Sequence, residues 1–339
     1  MQYRNLGRSG LKVSEICLGT MTFGHTTDAR EAAAIMDAAF DAGVNFLDTS
    51  NTYAKGRAEE IVGELLKERR HEAVIGTKVF NPTGPAPNDS GLSRLNILRA
   101  VEESLRRLQT DYIDVYYLHH TDDETPLDET LRALDDLVRD GKVRYIACSN
   151  FEAWRLLESI WISDTKGLER FTGYQPQYNL VVRDIEAEIL PVCRLKGVGV
   201  VAWGPLAGGF LTGKYKPGER TAAGTRSEEN WVFMDHMFAP NADDTLKTLL
   251  RLSKEVGCAP GALALRWVLE QPGVASAIVG ARTAEQFRKS LEAVDLALPA
   301  EVLRDLTKVS APPLRYPHIS EATMTDRRRN ALRPPWAPE

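Results

Sequence analysis

The 339-residue chain has little cysteine. Its four cysteines, Cys17, Cys148, Cys193 and Cys258, stand far apart and form no CxxC pair. This spacing excludes a disulfide framework and argues against a thiolate metal site. It is typical of the reduced, mostly buried thiols of a cytoplasmic protein.

The chain also lacks an excess of positive charge and a membrane-length apolar run. A net charge of −5 argues against a broad nucleic-acid face, which needs clustered basic residues. The longest uncharged stretch, residues 197–213, contains a proline and several glycines and is too short to cross a bilayer. Residues 1–15 carry charges throughout, so we expect no signal peptide. Together with the net charge and the lack of a membrane-length run, this predicts a cytoplasmic protein without nucleic acid or membrane as partner.

Short apolar runs alternate with longer amphipathic segments along most of the chain. The apolar runs cover residues 16–19, 45–48, 73–79, 112–119, 143–148, 174–177, 198–203 and 275–279. The helical patterns cover 28–42, 57–69, 93–108, 127–139, 151–162, 186–195, 243–270 (interrupted at 257–260) and 283–293. Apolar strands with helical crossovers make a parallel sheet covered on both faces, and eight such units can close on themselves. The pattern therefore predicts an α/β fold, the (β/α)₈ TIM barrel.

Both ends of the chain extend this barrel. Residues 2–14 predict a β-hairpin around 7–10 that could plug the bottom of the barrel. Residues 299–309 predict an extra helix opened by Pro299. We assign residues 1–310 to one barrel domain and residues 311–339, which are rich in proline, to an irregular C-terminal tail.

Four polar side chains stand where predicted strands end. Asp48, Lys78 and His119 close the runs NFLD, VIGTK and VYYLH, and Tyr53 lies five residues beyond Asp48. Alone, each has an ordinary interpretation: a turn cap, a surface charge, a core histidine and a loop aromatic. Because the C-terminal ends of parallel barrel strands meet at one mouth, the four together predict a site.

The chemistry of these four groups is coherent. A tyrosine is a weak acid at neutral pH, and a nearby lysine ammonium lowers its pKa. A buried carboxylate can keep the lysine charged, and a neutral histidine can donate a hydrogen bond to a carbonyl oxygen. Such a site can protonate a carbonyl oxygen while the carbon gains a hydride, which a cofactor must supply.

The constellation of Asp48, Tyr53, Lys78 and His119 resembles the catalytic tetrad of the aldo-keto reductases. Several longer segments share this resemblance: ICLGTMTFG (16–24), DAGVNFLDTSNTYAKGRAEEIVGELL (41–66), YIDVYYLHH (112–120), RYIACSNF (144–151), YQPQYNL (174–180), VVAWGPLAGGFLTGKY (200–215) and IVGARTAEQ (278–286). It covers roughly residues 1–310. These segments are most similar to the branch that contains bacterial general and sugar-derivative reductases and the potassium-channel β-subunits.

The resemblance implies an NADP(H) cofactor extended across the barrel mouth. Ser149, Asn150 and Gln175 would hold its carboxamide, Trp203 would stack on the nicotinamide, and the backbone of residues 204–209 would cradle the pyrophosphate. The full set of implied cofactor residues is Thr20, Met21, Asp48, Ser149, Asn150, Gln175, Trp203, Gly204, Pro205, Leu206, Gly208, Lys214, Gly280, Arg282, Gln286 and Ser290.

One segment bears on the choice of nucleotide. Gly280 and Ala281 stand where some branches of the family carry a Lys-Ser pair for the 2′-phosphate, and Arg282 is the remaining cation. Thr283 is a predicted helix N-cap with Gln286 three residues on, as in a capping box. A phosphate there would meet a helix N-terminus and a guanidinium, so we predict NADP(H) over NAD(H).

The sequence favours an NADPH-dependent reductase of aldehydes or ketones, with keto-sugars and ring ketones among the candidates. The alternative is a regulatory protein that binds NADP(H), like the channel subunits. A Rossmann dehydrogenase is disfavoured because no GxGxxG follows a first strand, and no metal-ligand spacing is present. We expect a monomer whose substrate pocket is lined by Phe23, Tyr53, His119 and Trp231.

Overall fold

The computed structural model describes residues 1–219, 239–313 and 315–331. Eight parallel strands, β3 to β10, close into a barrel, and β1 and β2 pair in a separate antiparallel hairpin. The strands are β1 Tyr3–Asn5, β2 Lys12–Ser14, β3 Ile16–Gly19, β4 Phe46–Asp48, β5 Val74–Val79, β6 Ile113–Leu118, β7 Val143–Ser149, β8 Gly173–Gln175, β9 Gly199–Ala202 and β10 Val274–Gly280. The predicted TIM barrel is confirmed.

Helices follow the barrel strands and cover them from outside. The helices are α1 Ala29–Asp41, α2 Arg57–Leu66, α3 Arg94–Leu108, α4 Leu127–Arg139, α5 Ala153–Lys166, α6 Ile189–Lys196, α7 Ala242–Val256, α8 Pro260–Leu269, α9 Ala284–Leu291, α10 Ala300–Val309 and α11 His318–Ala331. The predicted interruption of the pattern at 257–260 separates α7 from α8. Gly257 takes a left-handed φ of 77° after α7, and Pro260 begins α8, where its missing N–H costs nothing.

The hairpin of β1 and β2 closes the bottom of the barrel, as predicted. Leu6 and Val13 are fully buried and pack with the apolar residues inside the barrel. Gly7 is required at this contact, because its φ is +61° and a Cβ would lie 2.4 Å from the carbonyl oxygen of Gly197. With the lower end filled, the open end lies at the C-terminal ends of the strands.

The prediction of an irregular tail is wrong for residues 318–331, which form α11. Glu, Ala, Met and Arg in this segment favour a helix, while its prolines lie before and after it. The segment shows no apolar stripe in the sequence, and Ile319 and Met324 are exposed in the structure. Tyr316 is 83% exposed, and His318 Nε2 lies 3.7 Å from Glu188 Oε1.

Within residues 1–219, 239–313 and 315–331, no helix is both long and apolar enough to cross a membrane. All four cysteines are free thiols, and Cys17, Cys148 and Cys193 are buried, as the spacing predicted.

Candidate active site

The predicted site residues meet at the open end of the barrel. Asp48 is the last residue of β4, Lys78 lies near the end of β5, and His119 directly follows β6. Tyr53 begins a short 3₁₀ turn, Tyr53–Gly56, in the loop after β4. The register places Asp48 beside Gly19 of β3, so the ends of neighbouring strands lie level with one another.

A buried ion pair anchors the site. Lys78 is fully buried, and its Nζ lies 2.5 Å from Asp48 Oδ1 and 2.7 Å from the carbonyl oxygen of Thr49. Burial disfavours the ammonium, but Asp48 and Tyr53 together outweigh this effect, and the pKa of Lys78 is raised. The lysine therefore stays charged at neutral pH.

The Asp48 carboxylate has partners on both oxygens. Lys78 binds Oδ1, and Gln175 Nε2 donates to Oδ2 over 2.7 Å. Because β4 and β8 lie on different sides of the barrel, this amide ties the carboxylate across the mouth. Gln175, assigned from the resemblance to the cofactor carboxamide, thus also orients Asp48.

The hydroxyl of Tyr53 faces the lysine. Lys78 Nζ donates to Tyr53 Oη over 3.4 Å and lies 5.0 Å from the centre of its ring. Burial raises the pKa of Tyr53, and the Lys78 charge opposes that rise without reversing it. Lys78 thus lowers the pKa of Tyr53 as expected, but the net pKa is raised, because desolvation of the phenol is the larger effect. The hydroxyl is thus a neutral proton donor.

His119 is held as a neutral ring. Burial, followed by the charge of Lys78, lowers its pKa to about 2. Its ring centre lies 6.2 Å from that of Tyr53, edge to face, and 4.8 Å from that of His120, stacked. Asn81 Nδ2 lies 3.2 Å from His119 Nδ1, a contact that no sequence pattern indicated. The ring can therefore donate or accept hydrogen bonds at the mouth without carrying charge.

The residues assigned to the nicotinamide end lie together. Trp203 Nε1 donates to Asn150 Oδ1 over 3.1 Å, and Asn150 Nδ2 donates to the carbonyl oxygen of His119 over 3.0 Å. Ser149 Oγ donates to the carbonyl oxygen of Gln175 over 2.6 Å. One hydrogen-bonded chain thus connects the ends of β6, β7 and β9.

The loop after β9 is tightly folded on itself. Gly204, Ala207, Gly208 and Gly209 all have positive φ, and the N–H groups of Ala207 and Gly209 donate to the carbonyl oxygens of Gly204 and Leu206 over 2.9 Å each. A Cβ on Gly209 would meet no atom within 4 Å, so the loop faces open space there. Lys214, at the end of this loop, is exposed. Among the other cofactor residues predicted in this loop, Pro205 is buried and Leu206 is half-buried.

The predicted cap of α9 is present. Thr283 Oγ1 accepts from the backbone N–H of Gln286 over 3.2 Å, and Gln286 Oε1 accepts from that of Arg282 over 3.0 Å. Glu31 of α1 also reaches this helix end, where its Oε1 accepts from the N–H of Ala284 over 2.6 Å. Residues 278–284 contain no acidic residue, so the local sequence did not predict a carboxylate at this helix end.

Three further predicted cofactor residues lie at the ends of β3 and β10. Thr20 Oγ1 donates to the carbonyl oxygen of Asp48 over 3.0 Å, and Met21 beside it is half-buried. Gly280 ends β10 opposite Gly19.

Two other predicted residues make their contacts within α9 and within the apolar core. Ser290 lies one turn further along α9 than Gln286, with its Oγ 3.3 Å from that residue's carbonyl oxygen. Phe23 is fully buried and packs in the apolar core, and its contact with substrate stays a prediction. Trp231 lies outside the described residues.

An eight-stranded parallel barrel with its polar cluster at the C-terminal mouth defines an α/β-barrel enzyme. The model of the aldo/keto reductase family matches residues 15–311, and the chain belongs to that family of oxidoreductases. It is 41% identical over 321 residues to the "Uncharacterized oxidoreductase YrpG" of Bacillus subtilis, covering 91% of this chain and 96% of that protein.

Two further relatives carry a different kind of name. The "Probable voltage-gated potassium channel subunit beta" of Arabidopsis thaliana is 40% identical over 304 residues, with 87% of this chain and 92% of the relative covered. The "Putative voltage-gated potassium channel subunit beta" of Schizosaccharomyces pombe is 34% identical over 320 residues, with 91% and 92% covered. The two kinds of name match the branch that the sequence resembled.

Proposed function

We propose that the protein is an NADP(H)-dependent reductase of aldehydes or ketones, or the corresponding alcohol dehydrogenase in reverse. The observation that carries this proposal is the buried Asp48–Lys78 pair beside the Tyr53 hydroxyl. It combines a proton donor with a fixed positive charge in a site where water is scarce.

The residues at the mouth fit a nicotinamide dinucleotide. The glycines of the loop after β9 let a pyrophosphate approach the backbone closely, and Ser149, Asn150 and Gln175 present side chains suited to a carboxamide. Such a cofactor supplies the hydride, which no side chain can provide.

The side chains supply the proton and the orientation. Tyr53 donates its hydroxyl proton to the carbonyl oxygen, and Lys78 stabilises the phenolate that remains. The neutral His119 donates a hydrogen bond to the same oxygen and fixes its direction. In the reverse direction the phenolate accepts the proton of the alcohol.

The substrate class follows from the exposed part of the site. Tyr53 and His119 present an aromatic edge beside polar hydrogen-bonding groups. This combination suits a keto-sugar or a ring ketone as well as an aryl aldehyde. A panel of these carbonyl compounds, assayed with the full chain and either NADPH or NADH, tests the proposal through the loss of reduced-cofactor absorbance. Tight NADPH binding with no turnover on any member would contradict it.

A second function is supported by the relatives named as potassium channel β-subunits. In that case the chain would bind NADP(H) and a partner protein, with turnover slow or absent. The same assay separates the two, because the reductase turns over many carbonyl equivalents per chain and the regulatory protein does not. We further propose that the chain is a cytoplasmic protein and a monomer. Light scattering at micromolar concentration measures the oligomeric state.

A further inference from the structure

Asn81 lies in the loop after β5 and contacts the histidine of the site. Its Nδ2 lies 3.2 Å from His119 Nδ1. With the amide in this orientation its NH₂ group can only donate, so the Nδ1 atom that faces it accepts. A neutral imidazole carries one ring proton, which this contact places on Nε2.

Neighbouring contacts place the backbone on both sides of this pair. The backbone N–H of His119 donates to the carbonyl oxygen of Val79 over 2.9 Å. The residue before Asn81, Phe80, packs its ring 5.4 Å from that of His120, and its carbonyl oxygen accepts from the N–H of Gly91 over 2.8 Å. The base of the loop is thus closed by a backbone hydrogen bond directly before Asn81.

We propose that Asn81 is a positioning residue that holds His119 in its Nε2–H tautomer, so that Nε2–H is the group offered to the substrate carbonyl oxygen. This inference rests on the proposed carbonyl reduction. The opposite tautomer would present a lone pair to the carbonyl oxygen, and two acceptors facing each other cannot form a hydrogen bond.

The other charged and titratable groups around the ring favour the neutral state without choosing between its nitrogens. Lys78 of β5 and the neighbouring His120 both disfavour a second ring proton. Tyr53 meets the ring edge to face. Among the described contacts, only the amide of Asn81 distinguishes Nδ1 from Nε2.

The test replaces the donor with an acceptor in the full-length protein. In Asn81→Asp a carboxylate faces Nδ1 and draws the proton to that atom. Side-chain ¹⁵N NMR of His119 should then change from the Nε2–H to the Nδ1–H pattern. Asn88→Asp is the matched control: it adds the same charge to an exposed position of the same loop, and His119 should keep the wild-type pattern.

Turnover provides the second readout. Loss of one donor to a developing oxyanion lowers kcat by about 10²–10³-fold, so Asn81→Asp should lose about that much above neutral pH. Activity should recover as the pH falls, because the new carboxylate raises the pKa of the His119 ring and protonation of the ring restores Nε2–H, whereas Asn88→Asp should show the wild-type pH profile. A defect that were merely structural would not recover at low pH.

Two results would overturn the inference: a wild-type His119 already protonated on Nδ1, or an Asn81→Asp protein with an unchanged tautomer and pH profile. The NMR measurement needs neither substrate nor cofactor. A protein with the expected tautomer switch but no carbonyl turnover would therefore contradict the proposed function and leave the role of Asn81 in setting the tautomer supported.

Discussion

Lys78 Nζ lies 3.4 Å from Tyr53 Oη, while the same ammonium is held 2.5 Å from Asp48 Oδ1. The closer contact keeps the lysine charged inside the barrel, and the longer one brings that charge to the phenol. Burial nevertheless keeps the pKa of Tyr53 raised, so the resting hydroxyl holds its proton. The arrangement suits a group that releases its proton only when a strong acceptor forms beside it.

Tyr53→Phe should abolish most of the turnover and leave cofactor affinity near the wild-type value. The change removes the hydroxyl alone, and general acid catalysis of this kind contributes about 10²–10⁴-fold. Steady-state kinetics and a fluorescence titration with NADPH measure the two quantities separately. A kcat within about threefold of wild type would exclude Tyr53 as the proton donor.

Lys78→Met should destabilise the protein as well as inactivate it. The substitution leaves the Asp48 carboxylate buried with Gln175 as its remaining side-chain partner, and breaking a buried ion pair costs about 3–5 kcal/mol. Adding Asp48→Asn removes the unpaired charge, so the double variant should be more stable than Lys78→Met alone. Urea denaturation of the two single variants and the double variant gives the coupling, and additive losses would show that the pair does not act as a unit.

The stability of the folded chain should fall between pH 6.5 and pH 5 in part because of His119. The unfolded histidine binds a proton below about 6.5, whereas burial lowers its folded pKa to about 2. This contribution is therefore intact above the unfolded pKa and is lost as the pH falls towards the folded value. At pH 5 the loss is about 2 kcal/mol.

The matched variant is His119→Asn, in which this titration is absent. Its free energy of unfolding should change less than that of the wild type over the same pH interval, by about the same 2 kcal/mol. Parallel curves for the two proteins would mean that His119 binds a proton equally well in the folded and unfolded states.

The sequence was informative where side chains repeat a pattern and uninformative where a contact depends on the closed barrel. Asp48, Lys78 and His119 could be predicted because each ends an apolar run, and such ends meet in a parallel barrel. Asn81 meets a residue 38 positions away, and Glu31 meets one 253 positions away. Neither position carries a local signal, since a loop amide and a helix-surface carboxylate are common everywhere.

The direction of the Tyr53 pKa shift could not be predicted from the sequence either. Proximity to a lysine could be inferred from strand ends, but the extent of desolvation depends on how all eight strands and their loops enclose the phenol. The helix α11 was missed for a different reason: Ile319 and Met324 are exposed, and apolar side chains that face solvent leave no apolar period in the sequence.

Arg282→Ala should weaken NADPH binding and leave NADH binding nearly unchanged. Loss of a charge-assisted contact with the 2′-phosphate costs about 1.5–3 kcal/mol, or roughly 10- to 150-fold in Kd. The N-terminus of α9 contributes less to this preference than a bare helix end would, because Glu31 already accepts from the N–H of Ala284. The guanidinium is therefore the main group that can favour the phosphate.

Arg288→Ala is the control for this prediction, since Arg288 is an exposed cation on the same helix. Removing it lowers the local positive charge equally, so a nonspecific electrostatic effect would appear in both variants and fall together with increasing salt. A specific phosphate contact should appear in Arg282→Ala alone, in titrations of each purified protein with NADPH and with NADH. Equal weakening of both nucleotides, or a wild-type preference for NADH, would exclude Arg282 as the 2′-phosphate ligand.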